Sequence, residues 1–174
     1  MMLKLVKPDI KYKEQYIEMI KEWESTGEKI IPSSIKNADY TEFEKMVKDF
    51  EDRANGIGLV DNQVPASTLW AYDDETDKIF GAVNIRHKLN ETLIKNVGHI
   101  GDGVRPSERR KGYATEMIRL ALGECKKMGI TKVLMVCHKD NIGSARSIQK
   151  NGGILENEIP AENGKIDQRY WINL

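Results

Sequence analysis

The stretch GDGVRPSERRKGYATEM, residues 101–117, restricts the fold of this chain more than any other. Pro106 lacks the N–H that a sheet ladder needs and pushes Arg105 into an extended conformation, so the strand reading VGHIGDGV (97–104) ends there. A helix can begin only beyond it. Over 110–129 the apolar residues Ala114, Met117, Ile118, Ala121, Leu122 and Cys125 recur at helical spacing, and Gly129 stops the pattern. KVLMVCH (132–138) then reads as a strand buried on both faces. Strand, helix and strand between 98 and 138 predict a right-handed crossover with parallel neighbours as the default.

The rest of the chain supplies layers for that unit. LKLV (3–6) reads as a strand. Helices are predicted over 9–25, with Ile10, Tyr16, Ile17, Ile20 and Trp23 inward, and over 37–55, with Tyr40, Phe43, Met46, Val47 and Phe50 inward. Residues 26–34 between them read as loop. STLWAYD (67–73) and IFGAVNIRH (79–87) form a hairpin, 88–97 a loop, 142–151 a short helix closed by Gly152 and Gly153, and RYWINL (169–174) a last strand. With 174 residues and no linker or repeat, residues 1–174 are expected to make a single domain.

Charge directs attention to one place. Lys+Arg and Asp+Glu are both 27, so no global field draws in nucleic acid and an anion site must be local. No apolar run reaches the roughly 18–20 residues of a membrane span, and no secretory leader is seen, so a cytoplasmic location is expected. Cys125 and Cys137 lack CxxC spacing and read as buried thiols. His87, His99 and His138 show no ligand spacing, so no metal is predicted.

Arg105, Arg109, Arg110 and Lys111 crowd a helix start that already carries positive partial charge. That placement costs roughly 0.3–1 kcal/mol per cation unless an anion is bound. Unpaired N–H groups at the helix mouth suit a phosphate, and Gly112 and Ala114 let it approach the backbone. A solvated basic turn is the alternative reading.

The order and spacing of these pieces resemble the GNAT superfamily of acyl-CoA-dependent N-acyltransferases. The likeness runs through residues 103–153: Val104 and Pro106, then Arg109, Gly112 and Ala114, then Asn141 before a helix ending at Gly152. It implies an α/β (α+β) fold with a mixed, mostly antiparallel sheet of about six to seven strands. That sheet would splay between two parallel central strands and be flanked by about four helices. It also implies acetyl-CoA as co-substrate, its diphosphate held by the backbone from Arg110 to Thr115, through Lys111, Gly112, Tyr113 and Ala114, beside Arg109. Main-chain groups of Asp102, Gly103 and Val104 would pair with the pantetheine arm and polarise the thioester, and Asn141 would contact the cofactor across the cleft. Arg105 and Arg109 could equally be solvated.

Transfer to an amine needs a base, donors for a developing oxyanion, and a fate for the thiolate. The tyrosine that many family members carry seven residues after the asparagine is here Ile148, with Tyr113 and Tyr170 as substitutes to weigh. His99 and Asp102 are the two candidate bases. Strand alternation puts His99, Gly101 and Gly103 on one face and Ile100, Asp102 and Val104 on the other, and a bulge in GDG would exchange them. Glu24 and Glu28, in or near the loop that borders the acceptor pocket in this family, either receive a cationic amine or stay solvated; His87 either binds acceptor or packs. The acceptor is expected to be a small-molecule or peptide amine, with a homodimer through the terminal strand possible. Two other functions fit parts of the pattern: a non-catalytic acyl-CoA sensor, and a nucleotide-binding protein, the latter without GxxxxGK[ST] or GxGxxG.

Overall fold

The structure is a computed structural model in which residues 2–174 are described. In chain order the elements are β1 (Leu3–Val6), α1 (Lys13–Ser25), α2 (Ser33–Lys36), α3 (Phe43–Ala54), β2 (Ala66–Asp73), β3 (Lys78–Arg86) and α4 (Glu91–Asn96). There follow β4 (Ile100–Val104), α5 (Tyr113–Lys127), β5 (Lys132–His138), α6 (Ile142–Lys150), β6 (Ile154–Pro160) and β7 (Ile166–Asn173). The strands form two antiparallel sheets, β1-β2-β3-β4 and β5-β7-β6.

Alternation along β2 and β3 explains why the first sheet has helices on both faces. Trp70 and Tyr72 point to one side, where they meet Tyr12, Tyr16, Phe43 and Phe50 from the α1 and α3 region, with ring centroids 4.5–6.4 Å apart in the pairs around Trp70. Leu69 and Ala71 point to the other side, into a core shared with Met117, Ile118, Ala121 and Cys125 of α5. The ladder slips between Ala71 and Tyr72, where Phe80 is the unmatched residue; this returns Phe80 to the α5 side beside Val83 and Ile85.

The strands at 98–104 and 132–138 share no ladder and lie in separate sheets, in keeping with the splay that the resemblance implies. Their contact is confined to one end: a bridge between Gly98 and Met135, His99 N–H donating to the Leu134 carbonyl (2.7 Å), and Leu134 N–H donating to His99 Nδ1 (3.0 Å). Beyond that point β4 has β3 on one edge and no strand on the other. Three further elements were not expected from the sequence. The short helix α2 begins at the end of the segment read as loop (26–34), α4 lies within the one at 88–97, and β6 is almost wholly exposed. No helix among the described residues is long and apolar enough to cross a membrane.

Candidate active site

The four cations at the start of α5 have different fates. Arg105 is buried, its side chain 2% exposed, and donates to Glu22 (2.7 Å), Glu18 (2.9 Å) and the Ile79 carbonyl (3.2 Å). Arg109 pairs with Glu28, donates to the Val104 carbonyl (3.2 Å) and lies 5.5 Å over the Trp23 ring. Lys111 bonds to Glu108 (2.9 Å), which also holds Lys78 (2.8 Å). Arg110 is exposed, has no carboxylate partner among the described residues, and takes up φ +63°. The turn is therefore a scaffold of internal ion pairs that presents one free guanidinium.

Burial alone would push the Glu22 carboxyl up, yet Arg105 and the Ser107 N–H (2.8 Å) outweigh it and hold the carboxyl below its usual range. This contribution to stability is complete above the ordinary carboxylate pKa and fades as acid protonates Glu22. Glu22→Ala is expected to lower the free energy of unfolding by about 3 kcal/mol, because it strips a buried arginine of its main counter-charge. Urea titration at neutral pH reads that loss.

Helix α5 starts without the asparagine cap that the helices on either side of it in the chain, α4 and α6, carry. Asp9, Asp39, Asn90 and Asn141 each accept a main-chain N–H at the start of their helix or helical turn. The N-terminus of α5 has no side-chain cap: its first i to i+4 bond runs from Glu116 N–H to the Gly112 carbonyl. The N–H groups of Tyr113, Ala114 and Thr115 precede that bond and have no intrahelical acceptor. Gly112 sits at φ +89°, a conformation that favours glycine, with nothing within 4 Å of where a Cβ would lie. Tyr113 and Ala114 of this donor set open on a cleft of about 480 Å³ lined on one side by these two residues with Asp102, Gly103, Val104, Arg109, Arg110 and Gly112. Asn141, Ser144 and Ser147 line the other. Lys111 and Thr115 are absent from the lining; Thr115 donates to Ser147 Oγ (3.2 Å). Asn141 uses its side-chain oxygen to cap α6 at Ser144 N–H (3.1 Å).

The inner end of the cleft is the free edge of β4. Arg86 N–H donates to the His99 carbonyl and Arg105 N–H to the Phe80 carbonyl, so antiparallel alternation turns the main-chain groups of Gly101 and Gly103 towards β3. Those of Asp102 and Val104 then face the open edge, where Arg109 takes the Val104 carbonyl. The Asp102 and Val104 N–H groups are left pointing into the wedge. Gly103 contributes by lacking a side chain, since a Cβ there would lie 2.1 Å from the Ile31 carbonyl oxygen.

No bulge interrupts the β3–β4 register, so Asp102 shares a face with Ile100 and Val104. Its carboxylate accepts no hydrogen bond from the described residues, and burial pushes its pKa up to about 6. Because the folded protein favours the protonated form, Asp102 costs stability as pH rises from the ordinary carboxylate range through about 6. Asp102→Asn is therefore expected to raise the melting temperature at pH 8 and to leave it nearly unchanged at pH 4, as calorimetry would show.

His99 does not fit the role of base. Its ring is buried, burial and the Arg86 charge depress its pKa, and Nδ1 already accepts the Leu134 N–H. A neutral ring in that bond carries its proton on Nε2, leaving no free lone pair. Its work is to tie β4 to β5 at the root of the wedge.

Two proposed acceptor ligands also stand elsewhere. Glu28 is closed onto Arg109, and His87 bonds to Ser67 Oγ (2.8 Å) and lines neither large cavity. Tyr170 is buried in the core with its hydroxyl on Gln168 (2.8 Å), whereas Tyr113 lines the cleft and stacks on Phe80 at 4.5 Å. Ile148 is 1% exposed and packs against Gly153. Ser144 and Ser147 escaped the sequence reading; their spacing from Asn141, three and six residues on, puts all three along one helical stripe.

An uncapped helix mouth beside a strand edge with outward N–H groups suits an anion at one end of the cleft and a developing oxyanion at the other. The chain belongs to the GNAT acetyltransferase family, whose acetyltransferase (GNAT) domain model matches residues 3–154, and is an acetyl-CoA-dependent N-acyltransferase. No curated protein sequence matches it. Among solved structures it resembles the microcin C7 self-immunity acetyltransferase MccE in complex with acetyl-CoA and AMP, at 19% identity and TM-score 0.69, covering 99% of this chain and 92% of that one. It also resembles a GNAT-family acetyltransferase from Bacillus anthracis, at 19% identity and TM-score 0.66, covering 98% and 94%. A third is the Salmonella typhimurium acetyl transferase that modifies the N-terminal serine of ribosomal protein L7/L12, at 14% identity and TM-score 0.67, covering 99% and 95%. These likenesses concern the fold.

Proposed function

We propose that the chain transfers the acetyl group of acetyl-CoA to a primary amine of a small molecule or peptide, by direct attack in a ternary complex. The observation that carries this reading is the uncapped N-terminus of α5, opening on a cleft that ends at Asp102. When bound, acetyl-CoA supplies an activated acyl group. The N–H groups from Arg110 to Thr115, with the Arg110 guanidinium, hold its diphosphate. Val104 N–H and Asp102 N–H, turned outward from β4, stabilise negative charge on the thioester oxygen. The Asp102 carboxylate, unbonded and with its pKa near 6, accepts the proton of the attacking amine. With Ile148 in the core, no tyrosine acid stands on α6, and a thiol of pKa about 8.5 leaves as the thiolate, to be protonated by water.

The test is thiol release from acetyl-CoA across a panel of amines, paired with calorimetric titration of acetyl-CoA. Saturable binding and amine-dependent release support the reading. Binding without release for every amine overturns the catalytic part, and absence of binding overturns it entirely.

A further inference from the structure

The chain carries eight arginines. Arg105, Arg109, Arg119 and Arg169 lie against glutamates, Arg110 faces the cofactor cleft, and Arg146 is exposed on α6. The other two, Arg53 at the end of α3 and Arg86 at the end of β3, line a second cavity of about 650 Å³. It is separate from the cofactor cleft, but the segment 31–34 borders both: Ile31 lines the cleft, and Ser33 and Ser34 line this cavity.

Neither arginine lies within ion-pair distance of a carboxylate among the described residues. Arg86 is half-buried with a single hydrogen bond, from Nη1 to the Gly98 carbonyl at 3.3 Å, and both burial and the facing Arg53 charge work against its protonated form. Four carboxylates also line this cavity, and none of them reaches Arg86 within ion-pair distance. Asp39 is held by Thr41, Asp49 by Lys45 and Asp52 by Lys48, and Glu42 is exposed. Two like charges converging on one cavity, one of them largely desolvated, leave a place for a negative group that the protein does not fill.

The position of that place relative to β4 sets a length. Asn84 pairs with Gly101, and Arg86 Nη1 lies 4.0 Å from where a Gly101 Cβ would sit. The reacting end of the cofactor cleft, at Asp102 to Val104, is centred two residues further along β4, or roughly 7 Å. We infer that Arg86, assisted by Arg53, receives an oxyanion of the acceptor, a carboxylate or a phosphate, held about two residues' length from the amine that is acetylated. The inference rests on the acetyl transfer proposed above. An extended dipeptide, or an ω-amino acid of equal length, has this span.

The experiment compares three acceptors sharing one amine: glycylglycine, glycylglycinamide, and the analogue in which an aminomethylphosphonate replaces the second glycine. Turnover is followed by thiol release and binding by calorimetry with coenzyme A present, so the two readouts are independent. The wild-type protein is expected to favour an anionic acceptor over the amide by about thirtyfold, carried by KM rather than kcat. The better of the carboxylate and the phosphonate identifies the oxyanion. Arg86→Gln should collapse the preference towards one while keeping the acetyl-CoA Kd, and Arg53→Gln, an exposed change, should reduce it in part. Equal affinity for acid, phosphonate and amide, in binding and in turnover, overturns the inference. Failure of acetyl transfer as such is read separately, as absence of thiol release with every amine.

Discussion

Gly112→Glu is expected to weaken acetyl-CoA binding by roughly a hundredfold or more while the protein stays folded. Gly112 stands at φ +89°, where a non-glycine residue costs about 1–2 kcal/mol, and its side-chain direction is open, so the protein itself offers no clash. The damage falls on the ligand. A carboxylate placed among the free N–H groups of α5 competes for the donors and repels a diphosphate. Gly112→Ala separates the two effects: it should show the conformational cost in melting temperature and a much smaller loss of affinity. A folded Glu variant that titrates acetyl-CoA like the wild type would remove the diphosphate from this helix mouth.

The second large effect belongs to Asp102. With the carboxylate as base, Asp102→Asn is expected to lower kcat by about a hundred- to a thousandfold with acetyl-CoA affinity retained. Wild-type activity should rise with pH through about 6, as the carboxylate loses its proton, and the Asn variant should lack that limb. Taken with the stability gain expected of the same substitution at pH 8, this would mark Asp102 as a group kept at a cost to the fold, the usual signature of a site residue. A variant that loses stability at pH 8 and keeps its rate would show that the carboxylate is a structural element.

The parts of this molecule legible in its sequence are those whose cause is local. The pattern of α5 needs no partner to be recognised, and Pro106 and Gly112 mark the turn before it by their backbone chemistry alone. Strand β6 was missed for the converse reason: it is an edge strand exposed on both faces, so ILENEIP carries no alternation to detect. The fate of Arg105 was not readable, because Glu18 and Glu22 stand 87 and 83 residues away along the chain. That His99 Nδ1 is occupied could not be read either, because the donor, Leu134 N–H, is supplied by a different sheet. Likewise nothing in the spacing of Arg53 and Arg86 reveals that they share a cavity, since that depends on how α3 packs against β2 beside the end of β3.

The segment at residues 31–34 is common to both cavities. Ile31 rests directly on Gly103 and lines the cofactor cleft, and Ser33 and Ser34 line the second cavity. The walls of the second cavity come largely from α2, α3 and the loop after it, while the diphosphate grip proposed above belongs to the β4–α5 turn. If the acceptor's oxyanion sits at Arg86 as inferred above, drift in residues 33–64 would reshape the choice of acceptor while leaving the β4–α5 turn untouched. Any bulk added at Gly103 would instead press on Ile31 and shift the segment that borders both cavities.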